Sequence, residues 1–244
     1  MQTSEYKNIY DNESTHFYYV GYHSILLSLL EKYLPKKKGL KILDAGCGTG
    51  LFAKKLARFG DIFGVDVNSE AVKFARSRKI NVVKASIAKL PFKDNMFDLI
   101  TSLDVLCHSS IKDDIVALKE FKRVLKPEGL MLIKLPAFNW LTNKHDKHVH
   151  TKKRYITKDT DKELVTVGLT PIYSTYIGTF LIPAILGRKI LDSFIPGQSS
   201  SSVRKLWQPL NNFLIILFKT EELLVKILPL PFGISLITLA KKRA

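Results

Sequence analysis

Hydrophobic positions change their spacing along the chain, and each change marks a different kind of element. Residues 13–34 carry apolar side chains at helical spacing and stop at Pro35, which predicts an N-terminal helix. From residue 40 to residue 136, short apolar runs such as "DIFGVDV" alternate with amphipathic stretches such as "GLFAKKLARF". Strands that alternate with helices of this length predict an α/β fold, with a parallel sheet covered by helices on both faces.

The C-terminal part of the chain has a different pattern. Residues 179–228 are rich in Leu, Ile and Phe and are broken only by short charged or serine-rich groups. The stretches "LTPIYSTYIG" before them and "GISLITLAKK" after them have the pattern of strands. No uncharged apolar run reaches the roughly 18 residues that a membrane span needs. The pattern therefore predicts an apolar helical insert before the last strand.

One strand-to-helix turn carries the strongest chemical signal. In "LDAGCGTG", Asp44 precedes Gly46, Gly48 and Gly50, and Asp66 follows at the end of the next predicted strand. The spacing G-x-G-x-G is not the G-x-G-x-x-G of dinucleotide sites, and Asp44 would repel a pyrophosphate. An acid in the place of Asp66 suits ribose hydroxyls. These residues predict a ligand that is a nucleoside with a positive charge and no phosphate.

Several further motifs occur in a recognisable order. "LDAGCGTG" with "GVDVN" resembles the first two motifs of class I S-adenosylmethionine-dependent methyltransferases, and "VVKASIAKLPF", "FDLITSLDVLCH" and "LKEFKRVLKPEGLMLIKLP" look like the later ones. The resemblance covers about residues 40–136. It implies S-adenosylmethionine as the cofactor and a doubly wound Rossmann-like sheet, mostly parallel, with an antiparallel last strand.

The resemblance also implies roles for single residues. Asp44 lies near the amino group of the cofactor, Asp66 takes the ribose, and Val67 lies against the adenine. Ser86 stands where many relatives have an acid, and it is a weaker acceptor for the adenine amine. The full predicted cofactor set is Asp44, Ala45, Gly46, Cys47, Gly48, Gly50, Asp66, Val67, Ser86, Ile87, Leu103, Asp104 and Tyr19. Within it, Cys47 is interpreted as a small packing residue.

The segment after the fourth predicted strand constrains the acceptor. The N-P-P-Y motif of many amine methyltransferases is absent there, and the chain reads "SLDVLCH" instead. An oxygen or an activated carbon is therefore favoured, and an oxygen acceptor also needs a base. The candidate bases are His108, and His145 and His150 in the predicted substrate loop of residues 136–155. The competing interpretations are a packing histidine and a solvated basic loop. The irregular spacing does not favour a metal site.

A narrower resemblance covers most of the chain. "ESTHFYYVGY", "DVLCH" and "LPFGISLITLAKK" look like a bacterial and archaeal subgroup of small-molecule methyltransferases that often accompany lipid-linked glycan assembly, and more distantly like the ubiquinone-type enzymes. This resemblance implies that the N-terminal helix is a lid. Cys107 departs from the subgroup, which often has glutamate there. A single domain is predicted, with a lid at 1–35, a cofactor-binding core at 36–136, a substrate loop and helix at 137–168, and C-terminal strands at 169–244 that enclose the insert 179–228.

The net charge of the chain does not by itself identify a binding partner. The formal net charge is +16, and residues 180–244 contain 9 basic and 3 acidic residues. Nucleic acid, an anionic membrane or a lysine-rich background would each account for it. The favoured hypothesis is an intracellular enzyme on a small, hydrophobic or lipid-linked acceptor, with the insert docking peripherally on the inner face of the membrane. A homodimer interface and a closed pocket are alternatives for the insert. An RNA methyltransferase and a non-catalytic scaffold are alternatives for the function.

Overall fold

A seven-stranded sheet forms the centre of the protein. The computed structural model describes residues 3–37, 39–142, 146, 149–187 and 206–243. The strand order is β3-β2-β1-β4-β5-β7-β6; β1 to β5 run parallel, and β7 is antiparallel to both of its neighbours. This sheet confirms the predicted fold class. The strands are β1 (Leu40–Ala45), β2 (Gly60–Asp66), β3 (Asn81–Lys84), β4 (Phe97–Leu103), β5 (Leu125–Pro136), β6 (Leu169–Ile177) and β7 (Ser235–Lys242).

Helices cover both faces of this sheet, as parallel strands require. Phe97 and Phe121 belong to the core on the face that α5 covers, and Leu26 and Phe218 belong to the core on the opposite face. The helices are α1 (Thr3–Asn12), α2 (Phe17–Tyr33), α3 (Leu51–Leu56), α4 (Ser69–Ser77), α5 (Asp114–Val124), α6 (Thr157–Thr166) and α7 (Gln208–Ile227).

The N-terminal segment departs from the prediction of one lid helix. The structure has α1 and α2 there, and the chain breaks between Asn12 and Phe17. His16 caps α2, because its Nδ1 accepts a hydrogen bond from the backbone N–H of Tyr18. Residues 13–15 are all polar and form no apolar helical face, so the second helix starts at Phe17 and not at residue 13.

The apolar insert follows β6 and contains α7 as its main described element. A short helical stretch occupies residues 182–187, and residues 188–205 lie outside the described part of the chain. Asn211 of α7 accepts a hydrogen bond from the backbone N–H of Phe17 at 2.8 Å, and Glu221 accepts those of Gly178 and Thr179 at 2.7 and 2.9 Å. α7 is thereby fixed along α2. None of the helices in the described ranges is long and apolar enough to cross a membrane.

Candidate active site

A large cavity opens where the carboxyl ends of β1, β2 and β4 meet. Its volume is about 1260 Å³, and residues of α1, α2 and α7 contribute to its lining. β1 and β4 are neighbours that connect to opposite sides of the sheet. This topological switch point is where open α/β sheets bind their ligands. The volume exceeds that of a typical single-ligand pocket and leaves room for a second molecule.

The glycines of the turn after β1 have separate physical reasons. All three have positive φ, at 84° for Gly46, 53° for Gly48 and 81° for Gly50. A Cβ on Gly46 would lie 2.2 Å from the side chain of Val105, and one on Gly50 would lie 3.0 Å from Ala75. A Cβ on Gly48 would meet nothing within 4 Å. Gly46 and Gly50 therefore allow close packing, whereas Gly48 leaves its backbone open to a ligand in the cavity.

Asp66 links the ends of β1 and β2 and faces the cavity. Its two carboxylate oxygens accept the backbone N–H groups of Gly48 at 3.0 Å and Asn68 at 2.9 Å. Burial raises the pKa of Asp66, and these hydrogen bonds act in the opposite direction. Val67, the next residue, is half exposed in the same cavity. The pair offers a hydrogen-bond acceptor next to an apolar surface, as a nucleoside requires.

Asp44 is a buried carboxylate, and the protein provides few groups that stabilise its negative charge. The hydroxyl of Thr101 donates to it at 2.7 Å. Burial, supplemented by the negative charge of Asp66, raises the pKa of Asp44 to about 7. A cationic group bound in the cavity would offset both effects, because it favours the ionised carboxylate.

The N-terminal helices are tied to the glycine turn by a buried ion pair. The Glu13 carboxylate, just after α1, lies 2.5 Å from Arg78 Nη1 and accepts the hydroxyl of Thr49 at 2.5 Å. The guanidinium of Arg78 also donates to the backbone oxygen of Thr49 at 2.9 Å and lies 4.1 Å from the ring centre of Tyr10. The turn, α1 and the end of α4 are therefore joined into one unit over the cavity.

A fully buried lysine lies at the ends of β4 and β5. Nζ of Lys134 is 2.5 Å from Oδ2 of Asp104 and 3.0 Å from the hydroxyl oxygen of Tyr18, and it lies 4.7 Å from the ring centre of Tyr22. Burial alone would lower the pKa of Lys134, but the charge of Asp104 and the hydrogen bonds to Asp104 and Tyr18 together outweigh burial and raise that pKa above its ordinary value. The Asp104 side chain is 41% exposed and lines the cavity. Sequence reasoning missed Lys134, although a single lysine within "LMLIKLP" was a visible signal.

His108 lies at the cavity, but its hydrogen bonds do not suit a base. Its Nδ1 accepts the backbone N–H of Ser110 at 3.1 Å, so the neutral ring carries its proton on Nε2. Burial, together with the nearby His150, lowers the pKa of His108 and keeps the ring neutral near pH 7. His108 is then a hydrogen-bond donor. His150 is exposed and does not line the cavity, and His145 lies outside the described residues.

Two ion-pair groups hold the loop between β5 and α6. Arg154 forms a bidentate pair with Asp146 at 2.9 and 3.1 Å, and both residues line the cavity. The carboxylate of Asp114 in α5 accepts hydrogen bonds from Nζ of Lys152 at 2.5 Å and from the hydroxyl of Tyr155 at 2.8 Å. Across the described residues, no group of three or more His, Cys, Asp or Glu side chains is arranged to hold a metal ion.

Comparison with known proteins decides the family. A family model described as a methyltransferase domain matches residues 43–133, the stretch that contains the glycine turn, Asp66 and Asp104. Residues 43–133 of this chain are a class I S-adenosylmethionine-dependent methyltransferase domain. The predicted family and the predicted cofactor are thereby confirmed.

Relatives of this methyltransferase differ in what they act on. An uncharacterised protein of Methanocaldococcus jannaschii is 29% identical over 198 residues, which cover 80% of each chain. A ubiquinone/menaquinone biosynthesis C-methyltransferase of Neisseria gonorrhoeae is 39% identical over 40% of this chain and 43% of that protein. The probable tRNA methyltransferase 9B of Bos taurus is 35% identical over 56% of this chain and 29% of that protein. The chain thus spans less than half the length of these two named relatives.

Solved structures show the same fold at low identity. A chain in the complex of the Haloferax volcanii Trm112 methyltransferase activator with a methyltransferase has a TM-score of 0.64 and 18% identity, and covers 99% of this chain and 95% of its own. Phosphoethanolamine N-methyltransferase 2 of Haemonchus contortus, solved with S-adenosyl-L-methionine, has a TM-score of 0.60 and 20% identity over 89% of this chain and 52% of that one.

Most residues predicted to bind the cofactor do reach the cavity. Those that line it are Asp44, Gly46, Cys47, Gly48, Asp66, Val67, Ile87, Leu103, Asp104 and Tyr19. Ala45 is fully buried beneath the turn, and Gly50 packs on α4. Ser86 does not line the cavity, and its hydroxyl accepts the backbone N–H of Ala88 at 3.2 Å. Ser86 is thus turned into its own local loop, and Ala85 and Ile87 line the cavity beside it.

S-adenosylmethionine fits the residues present. Asp44 is a buried carboxylate that a bound ammonium would stabilise, and the open face of Gly48 leaves space for a ligand at the backbone. Asp66 has the position and the acceptors for ribose hydroxyls. These three residues would hold the methionine and ribose parts of the cofactor.

Cofactor affinity should depend on pH through Asp44. Since the pKa of Asp44 is about 7 and the ionised form pairs with the ammonium, affinity should fall by about tenfold from pH 8 to pH 6. Isothermal titration with S-adenosylmethionine over that range measures it. Asp44→Asn cannot ionise and should bind weakly with a flat profile. An equal slope in both proteins would assign the titration to another group.

Proposed function

We propose that the protein transfers a methyl group to an oxygen of a small, hydrophobic or lipid-linked acceptor. The observation that carries the proposal is the half-exposed carboxylate of Asp104, held by buried Lys134, in a cavity that also has apolar walls. Those walls include Ile111, Leu210 and Leu214, which line the same cavity. When bound, S-adenosylmethionine supplies an activated methyl group on its sulfonium. The task left to the protein is to orient the acceptor, exclude water and take one proton.

Asp104 is suited to receive that proton. Its carboxylate is accessible from the cavity, and the Lys134 ammonium at 2.5 Å holds it in one position. The backbone of Asp104 is also fixed, because its N–H donates to the Lys134 oxygen at 2.8 Å with φ at 56°. An acceptor hydroxyl can donate to Asp104 and lose its proton to it as the methyl group is transferred. Lys134 acts through Asp104 and is a positioning residue.

Two further groups complete this end of the cavity. The hydroxyl oxygen of Tyr18 accepts from Lys134, so its own proton is free to be donated to the acceptor. His108, neutral with its proton on Nε2, is a second donor. A carboxylate that can take a proton, with hydroxyl and imidazole donors in the same cavity, favours a hydroxyl acceptor over a carbon nucleophile. This assignment moves the base from the predicted histidines to Asp104.

A labelling experiment tests the oxygen assignment. The full chain is incubated with S-adenosylmethionine labelled in its methyl group and a lipid extract of the cells from which the protein comes. We expect label in the organic phase, and hot hydriodic acid should release it as volatile methyl iodide, as it does from methyl ethers. Label that stays non-volatile would indicate a C-methyl product and contradict the oxygen assignment.

Variants of that experiment test the base. Asp104→Asn should lower the rate by about a hundredfold and leave cofactor affinity within about twofold. Asp159→Asn, an exposed aspartate of α6, is the matched control and should retain full activity. An Asp104→Asn rate close to that of the control would remove Asp104 from the proposed chemistry.

A second candidate function is methylation of tRNA. The net charge of +16 and the likeness to probable tRNA methyltransferase 9B favour it. Against it, the described part of the cavity is rich in carboxylates, and its rim carries exposed apolar side chains that RNA would not cover. An arm of the labelling experiment with total tRNA in place of lipid decides between them. Cofactor binding without transfer in either arm would support the non-catalytic alternative.

Peripheral association with a membrane is part of the proposal for a lipid-linked acceptor. A hydrophobic acceptor is concentrated in the bilayer. α7 contributes Leu210 and Leu214 to the cavity wall, and Leu206, just before this helix, lines the cavity as well. The acceptor could then move from lipid to the cavity along an apolar surface.

A further inference from the structure

Helix α7 presents three faces with different surroundings. Asn211, Phe218 and Val225 are buried, with Phe218 and Val225 in the core that includes α2. Leu210 and Leu214 line the cavity on a second face. The third face is apolar and solvent-exposed, at 56% for Phe213, 59% for Ile216, 62% for Leu223 and 78% for Ile227. We define these four residues as the outer face.

The outer face is a stripe along one side of α7. At 100° per residue its four side chains fall within an arc of about 80°, opposite to the buried face, and the exposed Thr220 lies within the same arc. Further apolar side chains are exposed at the two ends of α7, namely Trp207 at the start, Leu228 at the end and Phe232 in the following loop. Single exposed apolar residues are ordinary, but four on one side of a helix indicate an interaction surface.

Basic residues border the outer face. Lys219 and Lys226 lie along one side of it on α7, and Lys32 of α2 donates to the backbone oxygen of Lys226 at 2.7 Å. Lys36 and Lys37 are exposed just beyond α2, at the same end of the helix pair. Glu222 pairs with Lys226 and Glu31 pairs with Arg58, so these two pairs add no net charge. Lys219, Lys32, Lys36 and Lys37 leave the border positive.

We propose that the outer face of α7 docks on an anionic lipid surface, with the helix lying in the plane of the interface. An apolar stripe with lysines beside it and a tryptophan at its end matches the side chains that such helices use. A second copy of the chain is the less favourable occupant, because a two-fold interface centred on the stripe would bring lysine borders together. Charge complementarity thus selects lipid.

Docking would also place the cavity at the membrane. The cavity-lining face of α7 adjoins the outer face through Leu210, which is exposed and lines the cavity. This consequence rests on the proposed function, whereas docking itself does not. A failure of docking and a failure of methyl transfer can therefore be distinguished.

Vesicle flotation with the full chain tests the inference. Vesicles of phosphatidylcholine with about a third phosphatidylglycerol should carry the protein upwards at low salt, and pure phosphatidylcholine vesicles should carry far less. The combined variant Phe213→Ser, Ile216→Ser and Ile227→Ser should lower the partition by about tenfold or more. These residues are exposed, so the variant should keep its thermal midpoint and its cofactor affinity.

The matched control removes exposed apolar surface elsewhere. Val83→Ser, Val116→Ser and Val165→Ser change exposed valines outside α7 and should float like the unchanged protein. In a Trp140→Phe background, Trp207 is the only tryptophan, and its emission should shift to the blue on anionic vesicles.

Three outcomes would overturn the inference. The first is a protein that stays below the anionic vesicles at low salt. The second is a combined variant that floats as well as the valine control. The third is a dimer in sedimentation equilibrium that the combined variant dissociates, without flotation of either protein. That last result would assign the outer face to a second copy of the chain.

Discussion

Replacing Asp66 with alanine is expected to weaken S-adenosylmethionine binding by about a hundredfold or more. Asp66 accepts two backbone N–H groups that shape the glycine turn, and it would also accept ribose hydroxyls of the cofactor. Hydrogen bonds to a charged acceptor contribute about 1.5–3 kcal/mol each, and losing even two of them accounts for that factor. Isothermal titration with S-adenosylmethionine and S-adenosylhomocysteine measures the change.

Asp61→Ala is the control for that substitution. Asp61 lies in the same strand but is exposed at the opposite end. The Asp61→Ala variant should bind both ligands with the affinity of the unchanged protein. If Asp66→Ala binds within about threefold of Asp61→Ala, the ribose is held elsewhere and the assignment of the site is wrong.

The second large effect is expected at the ion pair between Arg78 and Glu13, which joins the N-terminal helices to the glycine turn. Arg78→Met should lower the free energy of unfolding by about 3–5 kcal/mol, because it leaves the buried carboxylate of Glu13 without its cation. Cofactor affinity should fall as well, since Arg78 also donates to the backbone oxygen of Thr49 in the turn. Urea unfolding and isothermal titration on the same preparations measure both quantities.

A nearby arginine provides the comparison. Arg76 lies two residues earlier in α4 and is exposed. Arg76→Met should change the free energy of unfolding by less than about 1 kcal/mol. Equal losses in the two variants would mean that Glu13 does not depend on Arg78, and the N-terminal helices would then be held by apolar contacts alone.

The residues predicted for the cofactor end of the site meet at one cavity because their placement depends on local sequence. Gly48 and Asp44 lie in one turn, and Asp66 ends the next strand of a fold whose parallel strands align their carboxyl ends. Alternating apolar and amphipathic runs predicted the order of strands and helices, since the period of each run depends on which of its own side chains are buried. Ser86 does not line the cavity, and its hydroxyl is turned into its own local loop.

The acceptor end could not be predicted, because it is assembled from distant segments. Lys134 and Asp104 come from adjacent strands, but Tyr18 reaches them from α2, a helix far earlier in the chain. The pairing of β4 with β5 brings Asp104 to Lys134, and only the packing of α2 on the sheet adds Tyr18 to the pair. His108 looked like a base in the sequence, and the backbone N–H of Ser110 decides which of its nitrogens carries the proton.

The sequence by itself determined the fold class, the cofactor and the residues that would hold it, because hydrophobic period and glycine spacing are properties of neighbours along the chain. Only the tertiary structure decided which of the acids and bases face the cavity and which face of α7 stays exposed. Apolar residues encircle much of that helix, and the side that is buried depends on where α2 and the end of β6 pack against it. Whether a side chain is buried depends on the elements that pack around it, and helical periodicity alone cannot predict this.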